Sequence, residues 1–186
     1  MNVPSSIKHQ VPTAGMGQPN FSSCWWASYR MLYQYLNRNL NSIDDKLNGA
    51  GIDVEDCKEN GLADTDYSKA ATVLGLKGWS GLLFNQEASL FDFGLSDGAE
   101  AFLKELELGP LWVSRIAESR PDRTKGYHAV VAFGYDDSTG KILFNNPFPG
   151  PTNAVEALPM RANLFVRNIT AAAGSVQGYR YVTGGE

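Results

Sequence analysis

The chain divides into a helix-patterned first half and a strand-patterned second half, and this order is its strongest constraint on the fold. Three segments rich in β-branched and aromatic residues follow one another after residue 110: LWVSRI, YHAVVAFGY and KILFN. The second and third are joined by DDSTG, a five-residue stretch typical of a hairpin turn. The segments NLFVRNI and GYRYVTG also predict strands or sheet edges. Helices first and an antiparallel sheet after them predict an α+β fold with a cleft between the two halves.

The helical patterns begin at CWWASYRMLYQYLNRN. This stretch follows Ser22 or Ser23 as N-cap and has a broad apolar face, which predicts a mostly buried helix. Shorter helices are predicted over residues 42–47 and 66–74. SDGAEAFLKELELG predicts another helix, which Gly109 and Pro110 end.

The length of the chain suits one domain. With 186 residues, of which 43% are hydrophobic, it can bury one core but would be cramped as two. We therefore take residues 1–186 as a single domain. Residues 1–17 are rich in Pro, Gly and Ser and predict an extended lead segment over the surface, with His9 exposed on it.

Charge and hydropathy exclude several classes of partner. The formal net charge is -4, and the charged residues are scattered without forming runs. This pattern favours neither a nucleic-acid groove nor a membrane surface, so we expect no nucleic-acid and no membrane partner. The first twenty residues contain no apolar stretch and do not resemble a signal peptide.

The chain contains only two cysteines and two histidines. These are too few for a disulfide framework or a structural zinc site, and we expect no metal. A disulfide between Cys24 and Cys57 is one interpretation of the two cysteines, and two free thiols with different roles is the other, which we favour. Cys57 lies in VEDCKEN, which predicts a polar loop with an incidental thiol.

Cys24 is the candidate nucleophile because it falls in the first turn of a predicted helix. Unpaired backbone N–H groups and the helix dipole stabilise a thiolate there and lower its pKa. His128 begins a predicted strand and is the candidate base. Taken singly, each residue has an ordinary alternative: an inert buried thiol for Cys24 and a core or edge histidine for His128.

The hairpin brings Asn145 and Asn146 back to the neighbourhood of His128. Side chains alternate along a strand, so only one of the two asparagines can face the imidazole ring. We choose Asn146, since Pro147 holds its backbone extended; ending a strand is the alternative role. Gln18 lies six positions before Cys24, so a loop can bring its amide to the thiol, where it would stabilise an oxyanion together with the Cys24 N–H.

Together, QPNFSSCWWAS, GPLWVS, GYHAVVAFGYDD and ILFNNP resemble the papain-like cysteine peptidases, especially the compact bacterial C39-like and C70-type effector proteases. The resemblance runs from about Gln18 to Pro147 in the order Gln, Cys, His, Asn. It implies a papain-like fold, with the active site in the cleft between a helical half and a sheet half. It also implies the roles given above to Cys24, His128, Asn146 and Gln18. Asn146 stands where C39-like relatives have Asp, and Phe21-Ser22 stands where plant enzymes have Cys-Gly.

The resemblance implies hydrolysis of a protein or peptide substrate without a cofactor. Trp25 and Tyr127 are candidates for contact with the substrate, and packing in the core or cleft wall is their alternative role. It suggests a bacterial effector or toxin, cytoplasmic in the producer or delivered into a target cell by a dedicated secretion system. An immunity or inhibitor protein would then be a partner. The alternatives are a deamidase, acyltransferase or isopeptidase with the same residues, and an inactive binding module.

Overall fold

The structure is a computed structural model that describes residues 5–79, 97–117, 126–148, 152–157, 159–170 and 178–181. Within these residues the helices are α1 (Cys24–Tyr35), α2 (Ser42–Gly49), α3 (Val54–Asn60), α4 (Tyr67–Val73), α5 (Asp97–Glu107) and α6 (Ala162–Thr170). The strands are β1 (Ile7–Lys8), β2 (Leu76–Trp79), β3 (Leu111–Ala117), β4 (Gly126–Asp136), β5 (Lys141–Asn146), β6 (Val155–Glu156), β7 (Met160–Arg161) and β8 (Gly178–Tyr181).

The strands form one antiparallel sheet in the order β2-β8-β3-β4-β5-β6, with β1 beside β4 and β7 beside β5. Strand β4 is central and carries the longest ladders, to β3 on one side and β5 on the other. The α+β class and the hairpin of the second and third predicted strands are confirmed. Asp136 closes the hairpin turn by accepting hydrogen bonds from Ser138 and Thr139.

Helices cover both faces of the sheet. Along β3, Trp112 belongs to the core shared with α1 to α4, whereas its neighbours Leu111 and Val113 belong to the core shared with α5 and α6. This alternation follows from the two-residue period of a strand. The first core holds α1 against β3 and β4, and it is this contact that positions the first turn of α1 over the sheet.

The strand predicted for NLFVRNI is wrong, because residues 162–170 form α6. Ala162, Phe165, Val166 and Ile169 are buried together against the sheet. Their spacing of three, four and seven residues is that of one helix face. The apolar residues of this segment therefore follow the helical period of 3.6 residues. The strand predicted at GYRYVTG is confirmed over Gly178–Tyr181.

The polar loop predicted around Cys57 is also wrong, because VEDCKEN forms helix α3. The Asp53 side chain caps its start by accepting the Asp56 N–H, and Gly61 ends it with φ +95°. Both signals were visible in the sequence as an N-cap residue and a terminal glycine. Cys57 is half-buried against the helical core, and both cysteines are free thiols.

The described part of the lead segment, residues 5–17, is extended, but it is incorporated into the sheet. Residues Ile7 and Lys8 pair with Tyr135 and Gly134 of β4. His9, expected at the surface, is instead half-buried, and its Nε2 donates to the Leu106 carbonyl at 2.7 Å. Further along, Met16, Gly17 and Gln18 are all buried.

Gly134 is required for the docking of β1. A Cβ atom at this position would lie 2.6 Å from the Ile7 carbonyl oxygen and 3.1 Å from Leu143 Cδ1. The first contact is with backbone, so it can be relieved only by moving a strand. We expect Gly134→Ala to lower the free energy of unfolding by about 1–3 kcal/mol through overpacking, measured by urea denaturation.

Gly49→Ala is the matched control for this measurement. Gly49 is the last residue of α2, and a Cβ atom there would meet no atom of the described residues within 4 Å. Alanine favours a helix over glycine by up to about 1 kcal/mol, so this variant should be neutral or more stable. Equal losses of stability in the two variants would contradict the close approach of β1 at Gly134.

Candidate active site

The loop before α1 places Cys24 at the first position of that helix. Ser23 is the N-cap residue, but its side chain makes no hydrogen bond to the helix. Its hydroxyl accepts the Asn20 N–H at 2.9 Å and donates to the Asn20 carbonyl at 2.8 Å. Ser23 therefore fixes the loop and leaves the N–H groups of the first turn to other acceptors.

The thiol of Cys24 is buried and contacts β4. Its Sγ accepts the backbone N–H of Ala129 at 3.4 Å, so it lies beside the residue that follows His128. Burial raises the pKa of the thiol above its ordinary value; hydrogen bonds from the N–H groups of Ala129, Trp25 and Cys24 itself lower it by less. The N–H groups around the start of α1 therefore lower the pKa of the thiol by less than burial raises it, so the net lowering expected from the sequence is not found.

His128 and Asn146 are joined by a hydrogen bond that defines the protonation of the ring. Nε2 of His128 lies 2.7 Å from Oδ1 of Asn146, and the same oxygen accepts the Phe148 N–H at 2.9 Å. The Phe148 N–H can only donate, which identifies this amide atom as the oxygen. Nε2 of His128 must then carry a hydrogen, so that in the neutral ring Nδ1 is the basic nitrogen.

The two neighbouring asparagines have different partners. Asn145 is 2% exposed, and its Nδ2 donates a long hydrogen bond of 3.4 Å to the Val11 carbonyl oxygen. Asn146, by contrast, contacts His128. The alternation of side chains along β5 thus sends one amide to the lead segment and the other to the imidazole, as the choice of Asn146 requires.

Trp112 fixes the first turn of α1 to the sheet. Its Nε1 donates to the Trp25 carbonyl at 3.1 Å, and its ring stacks on Tyr29 with centroids 5.2 Å apart and planes within 9°. Trp25 itself is 2% exposed, and its own indole N–H donates to the Cys57 carbonyl. Its position favours packing over substrate contact. Tyr127 precedes His128 on β4, but its side chain lies outside the described residues.

Gln18 lies next to the turn that carries Asn146, but its amide engages its own loop. The backbone N–H of Gln18 donates to the Pro147 carbonyl at 3.0 Å. Its side-chain Nε2 donates to the carbonyls of Asn20 and Phe21 at 2.9 and 2.8 Å, while Oε1 is buried and has no hydrogen-bond partner among the described residues. Gln18 is 4% exposed, and its amide is tied to the segment before Cys24.

Two further contributions come from backbone groups that the sequence did not point to. The Ala129 N–H contacts the candidate nucleophile, and the Phe148 N–H fixes the amide of Asn146. Any residue except proline supplies such a donor, so no residue type marks it in a sequence. Within the described residues, no group of three or more His, Cys, Asp and Glu side chains is arranged to hold a metal ion.

We expect the reactivity of Cys24 to depend on His128. In a Cys57→Ser background, which leaves one thiol in the chain, His128→Ala should react with iodoacetamide far more slowly than its parent at pH 7. Because burial raises the pKa of the Cys24 thiol, little thiolate exists there without a base. The rate in the variant should rise about tenfold per pH unit through and beyond the ordinary cysteine range.

The Cys57→Ser parent is needed because Cys57 is only half-buried. Burial, and then the charges of Asp56, Asp66 and Asp53, raise the pKa of its thiol, so the replacement removes a slow background signal. Identical rate-against-pH curves for the parent and for His128→Ala would show that the imidazole does not activate Cys24.

Comparison with known proteins identifies the family of the chain. Residues 5–161 match the peptidase C70 family, described as papain-like cysteine protease AvrRpt2. No curated protein matches the chain. The matched range begins before β1, ends with β7 and contains Gln18, Cys24, His128 and Asn146. The chain therefore belongs to the peptidase C70 family of papain-like cysteine proteases.

Proposed function

We propose that the protein hydrolyses peptide bonds with Cys24 as nucleophile, His128 as general base and Asn146 as the residue that orients the base. Membership of the C70 family makes it a cysteine protease, which acts on protein substrates; the roles of the residues are the proposal. The observations that support them best are the hydrogen-bonded series from Phe148 N–H to Asn146 Oδ1 to His128 Nε2 and the contact of Cys24 Sγ with the N–H of Ala129, the residue that follows His128.

The reaction begins when Nδ1 of His128 takes the proton of the Cys24 thiol. The thiolate adds to the carbonyl carbon of the peptide bond, and the carbonyl oxygen gains the negative charge. His128 then gives its proton to the leaving amine, the C–N bond breaks, and a thioester remains on Cys24. A water molecule, deprotonated by the same ring, attacks the thioester, which releases the acid product and restores the thiol.

A buried neutral thiol makes the base essential to this mechanism. Since burial raises the pKa of Cys24, removal of its proton must be coupled to proton uptake by His128. The carboxamide of Asn146 supports that transfer in two ways, by holding the ring in one orientation and by keeping the hydrogen on Nε2. The base therefore presents its lone pair at Nδ1.

The oxyanion is proposed to receive hydrogen bonds from the Cys24 N–H and from Gln18 Nε2. The first donor lies at the start of α1, where the helix leaves N–H groups without partners in the helix. The second donor, Gln18 Nε2, is hydrogen-bonded to the Asn20 and Phe21 carbonyls of its own loop. Gln18 Nε2 would therefore give up one of these hydrogen bonds and donate to the oxyanion instead. In comparable sites, one such donor lowers the energy of the transition state by about 3–4 kcal/mol.

Substitutions at Cys24 and Asn146 test the assigned roles. Cys24→Ala should abolish cleavage of a proteome-derived peptide library, measured by mass spectrometry. Asn146→Ala should lower kcat/KM by about 10²–10⁴-fold, because the imidazole loses its orientation and its tautomer. Asn146→Asp is the matched variant: its carboxylate still accepts both the His128 and Phe148 N–H groups, so activity should exceed that of Asn146→Ala.

Two results would contradict these roles. Equal activity of Asn146→Ala and wild type would show that the hydrogen bond to His128 is not used. Products that differ from substrate by about one dalton, without fragments, would indicate deamidation of glutamine in place of peptide hydrolysis.

We further propose that the protein acts as a bacterial effector or toxin on a specific target protein. The support is its membership of the family described by AvrRpt2. In this proposal it stays in the cytoplasm of the producer until a dedicated secretion system delivers it into a target cell. An immunity or inhibitor protein that binds the active site is the partner that would protect the producer.

Expression of the protein without any partner in a susceptible cell tests the biological proposal. Wild type should reduce growth and shorten a small set of proteins found by proteomics, whereas Cys24→Ala should do neither, because its thiol is missing. Replacing one sulfur at a helix start leaves the fold intact, which a thermal melt checks. The same growth and the same protein lengths with both variants would contradict a proteolytic effector.

A further inference from the structure

Residues 9–18, here called the N-terminal strap, cross the end of the sheet and lead directly to the candidate site. The strap is attached along its whole length by hydrogen bonds between its backbone and residues far away in sequence. Its partners, in order, are Phe133 for His9, Asn145 for Val11, Ala154 for Thr13, Asn153 for Gly15 and Pro147 for Gln18. The strap is therefore a supported element whose last residue is Gln18.

The final attachment links the two sides of the candidate site. Gln18 N–H donates to the Pro147 carbonyl at 3.0 Å, and Pro147 lies between Asn146 and Phe148, whose N–H fixes the Asn146 amide. The residue proposed to stabilise the oxyanion is thus held against the turn that orients the base. A shift of the strap would move Gln18 relative to Cys24.

The Asn153 side chain holds the strap close to Gln18 with a short hydrogen bond. Its Oδ1 accepts the Gly15 N–H at 2.9 Å, and its backbone forms a bridge with Ala14. Gly15 has φ +70°, so the strap turns there toward Met16 and Gln18. Asn153 and Gly15 are both exposed, and loss of their hydrogen bond leaves no buried group unsatisfied.

We propose that Asn153 is a positioning residue: by fixing the Gly15 turn of the N-terminal strap, it places Gln18 where its amide can reach the oxyanion. This inference rests on the proposed function of Gln18. Asn153 contacts the strap at Ala14 and Gly15. It acts through the backbone of residues 15–18 and leaves the thiol and its base as they are.

Kinetics of Asn153→Ala test the inference. We expect kcat to fall about tenfold with little change in KM, because a misplacement of about 1 Å at a reacting group costs up to about 10²-fold in rate. The rate of Cys24 alkylation at pH 7 should equal that of wild type, since alkylation forms no oxyanion. A general loss of structure would change both rates, so this difference separates positioning from stability.

Three further variants sharpen the comparison. Asn153→Asp keeps an oxygen acceptor for the Gly15 N–H and should restore most of kcat. Gly15→Ala introduces a Cβ at φ +70°, where no atom of the described residues lies within 4 Å, and should lower kcat by straining the strap backbone. Asn48→Ala is the matched control, since Asn48 Oδ1 accepts the Val54 N–H at 3.1 Å in the same kind of bond, and kcat should stay unchanged.

The Gln18→Ala background distinguishes failure of this inference from failure of the proposed function. If Asn153 acts through Gln18, Asn153→Ala should cause no further loss of kcat in that background. An undiminished effect there, or a wild-type kcat for Asn153→Ala alone, would overturn the positioning role. If Gln18→Ala by itself retains the wild-type kcat, the proposed oxyanion role of Gln18 is wrong. If Cys24→Ala retains the wild-type kcat, the whole proposed mechanism is wrong.

Discussion

The chemistry proposed for this protein depends on the orientation of one imidazole ring. A 2.7 Å contact holds His128 Nε2 to Asn146 Oδ1, and the Phe148 N–H occupies the same oxygen. The amide can satisfy both donors in only one of its two flipped orientations, so hydrogen bonding alone selects the tautomer. The thiol requires this arrangement, because its burial favours the protonated form. In the proposed mechanism, a base of the correct tautomer must therefore act on a thiol whose pKa is raised by burial.

Much of the fold was predictable because its periodicities are strong and local. The strand pattern from Leu111 to Asn146 and the buried helix from Cys24 are signals within one element. The errors arose where two periods compete over a short segment. NLFVRNI is rich in residues that favour strands, yet the positions of Phe165, Val166 and Ile169 fit one helix face. Propensity favoured a strand there, and burial against the sheet selected a helix.

The candidate site was predictable as a set of residues but not as a network. Residue type and order suggested Cys24, His128, Asn146 and Gln18 as candidates, and the extended backbone expected before Pro147 favoured Asn146 over Asn145. The direction of the Gln18 amide toward the Asn20 and Phe21 carbonyls was beyond the sequence, since it depends on a loop conformation. The net rise in the pKa of Cys24 was also missed. It results from competition between burial and three N–H groups, and only coordinates reveal which prevails.

The contact between Cys24 and Ala129 joins groups separated by 105 positions in the chain. A ribosome makes the sulfur-bearing helix long before the strand that supplies the imidazole, and the orienting amide emerges later still. Contacts of such high sequence separation form late in folding, since a long loop must close first. The nascent chain consequently carries an incomplete catalytic apparatus through most of its synthesis. In the proposed mechanism, cleavage becomes possible only after α1 has docked on β4 and Cys24 has reached the strand that carries His128.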